Sequence, residues 1–288
     1  MAEILAESIA DTARLIPWLF PIYVLMEYVS HREVPVFVRR LRLGGAAGPI
    51  AGAFVGIIPQ CSMSVMVTSL FAAGHVSAGT LLATYLATSD EALPILLAEG
   101  SQFRAVFALV GAKLAIALIA GYLADAALGR QHLAPGPTHA FREPGSHTES
   151  VSWPEIIGHG SRHTAVVAAW VLVATFLLGV LLERSGGLEW ISGGGSVGAA
   201  RVLAVALFGL IPNCATSVAI TEAFLRAGLP FGAAIAGLSA GAGFGPIVLV
   251  REVGLRRSAV VLAWLLASAV VSGLVIDALY PLSLPVTR

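Results

Sequence analysis

The chain has 288 residues, 57% of them hydrophobic and 12% charged, with a mean hydropathy of +0.86 and a formal net charge of zero. Soluble domains carry about 25% charged residues, so lipid rather than water must solvate most of this surface, and no basic field argues for nucleic acid. The two cysteines lie in apolar segments and do not resemble the disulfide framework of a secreted protein, and the acidic start (Glu3, Glu7, Asp11) does not read as a cleavable signal peptide.

Taken in chain order, apolar runs of near-spanning length fall near 14–30, 44–58, 60–74, 77–98 and 104–128. A polar stretch from 129 to 161 follows, and further runs fall near 163–182, 196–211, 213–227, 229–250 and 258–280. The expected fold is all-α: a polytopic membrane protein of about ten transmembrane or re-entrant segments. The expected organisation is a first membrane repeat over 1–128, a cytoplasmic His/Pro/Gly-rich linker over 129–161 and a second membrane repeat over 162–288. Several runs are shorter than the ~20 residues of a full span. The short ones, 44–58 with 60–74 and 196–211 with 213–227, read equally as re-entrant half-helices or as kinked spans. Irregular backbone at that depth is tolerated only where protein or a water-filled cavity shields it.

Internal similarity supports the division. Gly56 to Phe71 and Gly209 to Phe224 agree at eight of sixteen positions at a constant offset of 153, and the two cysteines, Cys61 and Cys214, coincide. Asp11-Thr12 likewise matches His163-Thr164, and Ala73-Gly74 matches Ala227-Gly228. Ser89-Asp90-Glu91-Ala92-Leu93-Pro94 falls on Gly241-Ala242-Gly243-Phe244-Gly245-Pro246. Five segments per half, an odd number, would set the halves in opposite orientations as an inverted repeat. Arginines 32, 39, 40 and 42 assign the first loop to the cytoplasm, and counting onward puts Arg130, Arg142, Arg162, Arg251, Arg256 and Arg257 there too. Both termini are then expected outside. Four helices instead of five per half would make the halves parallel; the positive loops favour five. The histidines of the linker (His132, His139, His147, His159) match no defined metal site and read as part of a solvated connection.

The candidate chemistry centres on the repeated breaks. Pro59 and Pro212 each precede a cysteine by two positions, with Gln60 and Asn213 between. Free cysteine is often an apolar filler, but symmetric placement at a proline break favours a shared substrate role. Thiolates suit soft ions. Ser64 and Thr68, repeated as Ser217 and Thr221, recur at helical spacing and either line a pathway or bond neighbouring backbone. Met63 and Met66 add soft sulfur or simply pack.

Ser89, Asp90 and Glu91 precede Pro94 inside an apolar run. A carboxylate at mid-membrane costs about 2.5–3.5 kcal/mol on insertion scales, which argues for ion binding, proton transfer or pairing unless the acids lie nearer the interface. Lys113, also mid-run, is the natural partner of Asp90 or Glu91, as a proton-sensitive switch or as a structural ion pair. The equivalent arm, with Gly243 and Gly245 before Pro246, carries no charge and offers backbone carbonyls. Glu27, Tyr28 and Glu222 are secondary candidates, and His75 is expected in a solvated turn.

Pro59-Gln60-Cys61-Ser62, Thr88 to Pro94, Pro212-Asn213-Cys214 and Gly241 to Pro246, with the opening Pro17 to Tyr28 and His163-Thr164, resemble a group of ten-helix heavy-metal exporters. Its members carry labels such as arsenic efflux protein or manganese transporter, and the likeness spans nearly the whole chain. The resemblance implies a permease that exports a metal or metalloid across the inner membrane.

The leading expectation is therefore a secondary-active, proton-coupled exporter of trivalent arsenic, multi-pass in the inner (plasma) membrane. Cys61 and Cys214 would bind, and Asp90, Glu91 and Lys113 would couple. The second is a divalent-cation exporter, manganese foremost, with Asp90 and Glu91 as hard ligands. An intramembrane enzyme using Cys61, His75 and Asp90 lacks a sequence context for a nucleophile–base pair, and a channel or partner subunit is the remaining class. The chain is not expected to be an enzyme or to hold a resident cofactor. No nucleotide-binding loop is present, so a proton gradient is the simpler energy source. The expected partners are the bilayer, a small inorganic ion or metalloid as substrate and, as an option, a second copy in a homodimer.

Overall fold

The computed structural model describes residues 45–59, 61–72, 74–88, 92–98, 103–128, 153–185, 196–212 and 214–279, with scattered helical positions between 6 and 24. Every regular element among the described residues is a helix. In chain order they are α1 (Gly48–Ile57), α2 (Cys61–Ala72), α3 (Ala78–Ala87), α4 (Ala92–Ala98), α5 (Phe103–Leu128), α6 (Trp153–Ser185), α7 (Ser196–Gly209), α8 (Cys214–Arg226), α9 (Phe231–Ala240), α10 (Gly245–Val253) and α11 (Leu255–Leu279). α6 starts ahead of the apolar run near 163, where Pro154 and Glu155 provide a first turn suited to a helix N-terminus.

Proline and glycine punctuate these helices. α1 and α10 carry proline at their first positions, where the missing N–H was unpaired in any case. α1 ends at Ile58, which adopts extended backbone (φ −65°, ψ 113°) as the residue before Pro59 must. α2 and α8 are both followed by a glycine in the left-handed region, Gly74 (φ 77°) and Gly228 (φ 68°). At the first of these turns, the N–H groups of Gly74 and His75 bond back to Phe71 and Leu70, each at 2.9 Å.

Close contacts set the chain directions. Gly52 of α1 lies against Thr80 of α3, and Gly56 against Thr84 and Ala87, so α1 and α3 run parallel. α2 must therefore turn back between them. The pair α1–α2 is a hairpin whose arms, 10 and 12 residues long, rise about 15 and 18 Å, half of a ~30 Å hydrocarbon core. α5 runs the other way: Gly79 of α3 meets Gly121 and Asp125, while Thr88 meets Lys113. The later helices repeat this. Val205 of α7 lies against Gly237 of α9, Gly209 against Gly237 and Gly241, and Gly232 against Gly273 and Asp277 of α11. So α7–α8 is a second hairpin, with arms of 14 and 13 residues that rise about 21 and 20 Å, short of a ~30 Å hydrocarbon core.

The long apolar paths are α3–α4, α5, α9–α10 and α11. α3–α4 is almost entirely enclosed, whereas α11 is mostly exposed and, with Phe107 and Ile119 of α5, presents apolar side chains outward. In water such a surface would be a liability; in a bilayer it is the expected one. α1 packs on α3 as α7 packs on α9, α3 on α5 as α9 on α11, and α4 on α5 as α10 on α11. Between the two sets, α10 lies along α2 and α4 against α8, while α3 touches α9. The chain is a multi-pass, all-α membrane protein.

Candidate functional site

Two long paths are interrupted at mid-length, and both interruptions meet one side chain. α3 ends at Thr88, which takes extended backbone (φ −59°, ψ 127°). α9 ends at Gly241, and Gly243 beyond it sits in the left-handed region (φ 56°). Lys113, midway along α5 and fully buried, donates from Nζ to the Thr88 carbonyl at 2.5 Å and to the Leu238 carbonyl, in the last turn of α9, at 2.6 Å. Carbonyls at a helix C-terminus lack intrahelical partners and carry partial negative charge. An ammonium with three donors on a flexible stem suits two such oxygens from different helices.

A second polar chain crosses beside it. The Tyr85 and Thr68 hydroxyls share a hydrogen bond of 2.6 Å between α3 and α2, and Thr68 Oγ1 lies 2.6 Å from the Ser64 carbonyl. Tyr85 is fully buried, and its ring lies against Gly245 at the start of α10, where a side chain at 245 would collide with it. In the second half Thr221 donates to the Ser217 carbonyl at 2.7 Å, repeating the local bond. The position matching Tyr85 is Leu238, so the phenol has no counterpart there.

At the outer ends of the broken paths, acids brace helix N-termini. Asp125 of α5 accepts from the Gly79 N–H at 2.8 Å and from Ser77 Oγ at 2.9 Å, while Ser77 caps α3 by accepting from the Thr80 N–H at 3.1 Å. Asp277 of α11 lies against Gly232 of α9 and pairs with buried Arg201 at 3.7 Å. Glu222, buried in α8, accepts from Arg226 one turn on at 2.6 Å. Asp125 and Asp277 hold neighbouring helices together, whereas the Glu222–Arg226 pair lies within α8.

The sequence candidates divide as follows. Ser64, Thr68, Ser217 and Thr221 are all buried; the Thr68 and Thr221 hydroxyls donate to the backbone carbonyls of Ser64 and Ser217. Pro59 and Pro212 occupy the bends between the hairpin arms. Pro94 and Pro246 lie in the first turns of α4 and α10, just past the breaks, where proline is tolerated. Cys61 and Cys214 are the first residues of the returning arms α2 and α8; their side chains lie outside the described residues. So do Gln60, Ser89, Asp90, Glu91 and Asn213 entirely, together with Glu27, Tyr28, His132, His139 and His147, and with them any pairing of Lys113 with Asp90 or Glu91, whereas His159 lies in α6 with its side chain outside the described residues. Met63 and Met66 pack into or against the apolar core.

Sequence reasoning missed Tyr85, Asp125, Arg201, Asp277 and Ser239, whose buried hydroxyl in the last turn of α9 has no hydrogen-bond partner among the described residues. A signal for the first did exist. Thr80, Thr84 and Thr88 recur every fourth residue, a polar stripe along a helix that also carries Tyr85. Among the described residues no group of three His, Cys, Asp or Glu side chains could hold a metal ion. His75, exposed in the turn after α2, is separated from Cys61 by the whole of that helix, about 18 Å of rise, far beyond the reach of a nucleophile–base pair.

The family described as "Putative, 10TM heavy-metal exporter" matches residues 18–196, well over half of the chain. The matched stretch contains Cys61, Asp90, Glu91 and Lys113 and stops at the start of α7, before Cys214. No curated protein and no solved structure matches.

Proposed function

The chain belongs to the 10TM heavy-metal exporter family, and we propose that it is a secondary-active, proton-coupled exporter of a thiophilic metalloid, trivalent arsenic foremost, across the inner membrane. The observation that carries the reading is the placement of the two cysteines. Each opens the returning arm of a hairpin too short to span, and the first turn of a helix offers unpaired N–H groups that favour an anionic group. A thiolate is the form that ligates soft ions. In this reading Cys61 and Cys214, with Gln60 and Asn213, bind the substrate, and Asp90, Glu91 and Lys113 couple its passage to protons.

The reading takes the halves as an inverted repeat with both termini outside. It is supported by the pairing of α10 with α2 and of α4 with α8. α2 returns toward the level where α3 begins. A helix lying along α2 while continuing from the centre must therefore leave toward that same face, opposite to α4.

A second reading takes manganese as the substrate. In it Asp90 and Glu91, which follow the break after Thr88, would be the ligands, since hard oxygen donors suit manganese. Growth and metal content of an exporter-deficient bacterium expressing the chain separate the two. Cys61→Ser and Cys214→Ser should abolish arsenite resistance and leave manganese tolerance intact. If Asp90→Asn abolishes manganese tolerance while both cysteine variants keep arsenite resistance, the metalloid reading fails.

A further inference from the structure

Lys113 is the only lysine in a chain whose Lys and Arg total 17. Fully enclosed in protein, it stands where the C-termini of α3 and α9 converge. Each helix end carries roughly half an elementary negative charge, so the two together ask for about one positive charge. The residue at the matching place in α11 is Leu265, at an offset of 152 and fully buried. One ammonium therefore serves both ends. Carbonyls of interrupted helices are also the ligands that transporters present to a monovalent coupling ion, and an ammonium on a stem resembles such an ion in charge and compactness.

We infer that Lys113 is a tethered cation. At the meeting point of the α3 and α9 C-termini it occupies the place an inorganic monovalent ion would take, so that exchange runs without Na+ or K+. The cation is carried on the chain itself, so the two interrupted helices need no inorganic ion from solution, and proton coupling through Asp90, Glu91 and Lys113 needs none either. Ser239, one residue beyond Leu238, adds a buried hydroxyl that no described residue engages.

The inference depends on the exporter reading only for its transport arm. Purified full-length protein in detergent is compared with Lys113→Ala in choline, sodium, potassium and ethylammonium chloride. The wild-type Tm should be the same in all four salts. The variant should lose about 10 °C in choline and recover most of it in ethylammonium and in Na+ or K+. Lys113→Arg should stay independent of the salt. A variant as stable as wild type in choline, or a loss that none of the cations restores, overturns the inference. Should Lys113→Ala fail to fold, the wild type decides alone. Substrate counterflow in proteoliposomes at equal rates in sodium, potassium or choline salts supports the tethered ion, and dependence on Na+ or K+ overturns it. A sodium-dependent Tm in the wild type would sink this inference and leave the exporter reading standing; absence of all counterflow with the predicted Tm pattern would do the reverse.

Discussion

The two interruptions, after α3 and after α9, follow the same path and hold different chemistry. The first has Tyr85 bridging to Thr68 and is faced by Lys113 from α5. The second has Leu238 where Tyr85 stands and Leu265 at the position in α11 that matches Lys113, meets Lys113 only through the Leu238 carbonyl, and continues through Gly241, Gly243 and Gly245. What recurs in both is the scaffold: parallel helices in backbone contact at Gly56 and Gly209, and acids, Asp125 and Asp277, at the outer ends. Shape is needed twice because two hairpins must approach the centre. Charge is needed once, because a single ammonium reaches carbonyls from both sides.

That contrast can be broken at matched positions. Lys113→Met should cost about 3–5 kcal/mol of stability, the penalty for stripping a buried polar site of its charged partner. Leu265→Met should cost under about 1.5 kcal/mol, as volume-conserving apolar swaps do. Thermal unfolding in one detergent compares them, and equal losses would mean that the two sites are alike after all. Next in size are Gly56→Val and Gly209→Val. A side chain at either place runs into the carbonyl of Thr84 or Gly237, and overpacking of this kind costs about 1–3 kcal/mol. Here the two halves should suffer equally, read as the monodisperse fraction after size-exclusion chromatography. Smallest is Tyr85→Phe, which removes one buried hydrogen bond worth about 1 kcal/mol while Thr68 keeps its bond to Ser64. Thr221→Val in the other half should lose no more than that, since it breaks only a local bond to its own helix.

Much of this architecture was legible because a bilayer narrows the options. The apolar runs near 104–128 and 258–280 became α5 and α11 with little change in extent. Length, hydropathy and the demand that every backbone group be satisfied leave only a helix for such stretches. The paired Pro59 and Pro212, and the glycines after α2 and α8, marked turns for local reasons that any context preserves. The short runs around Cys61 and Cys214 were different. A kinked span and a returning hairpin have the same residues in the same order, and only the contact of Gly52 and Gly56 with α3 decides that α1 and α3 are parallel.

The partner of Lys113 shows the same limit from the side of chemistry. Hydropathy marks an isolated cation in an apolar run as costly and in need of a counter-charge, and acids nearby in sequence are the natural guess. The tertiary structure adds two oxygens that no composition can display, because a backbone carbonyl becomes a ligand only where its helix stops and another helix brings a donor to it. The sequence by itself determined an all-α membrane protein with paired breaks, since solvation by lipid and local turn chemistry depend on neighbouring residues alone. Which helices return, and which broken ends share Lys113, was decided by packing between segments far apart in the chain.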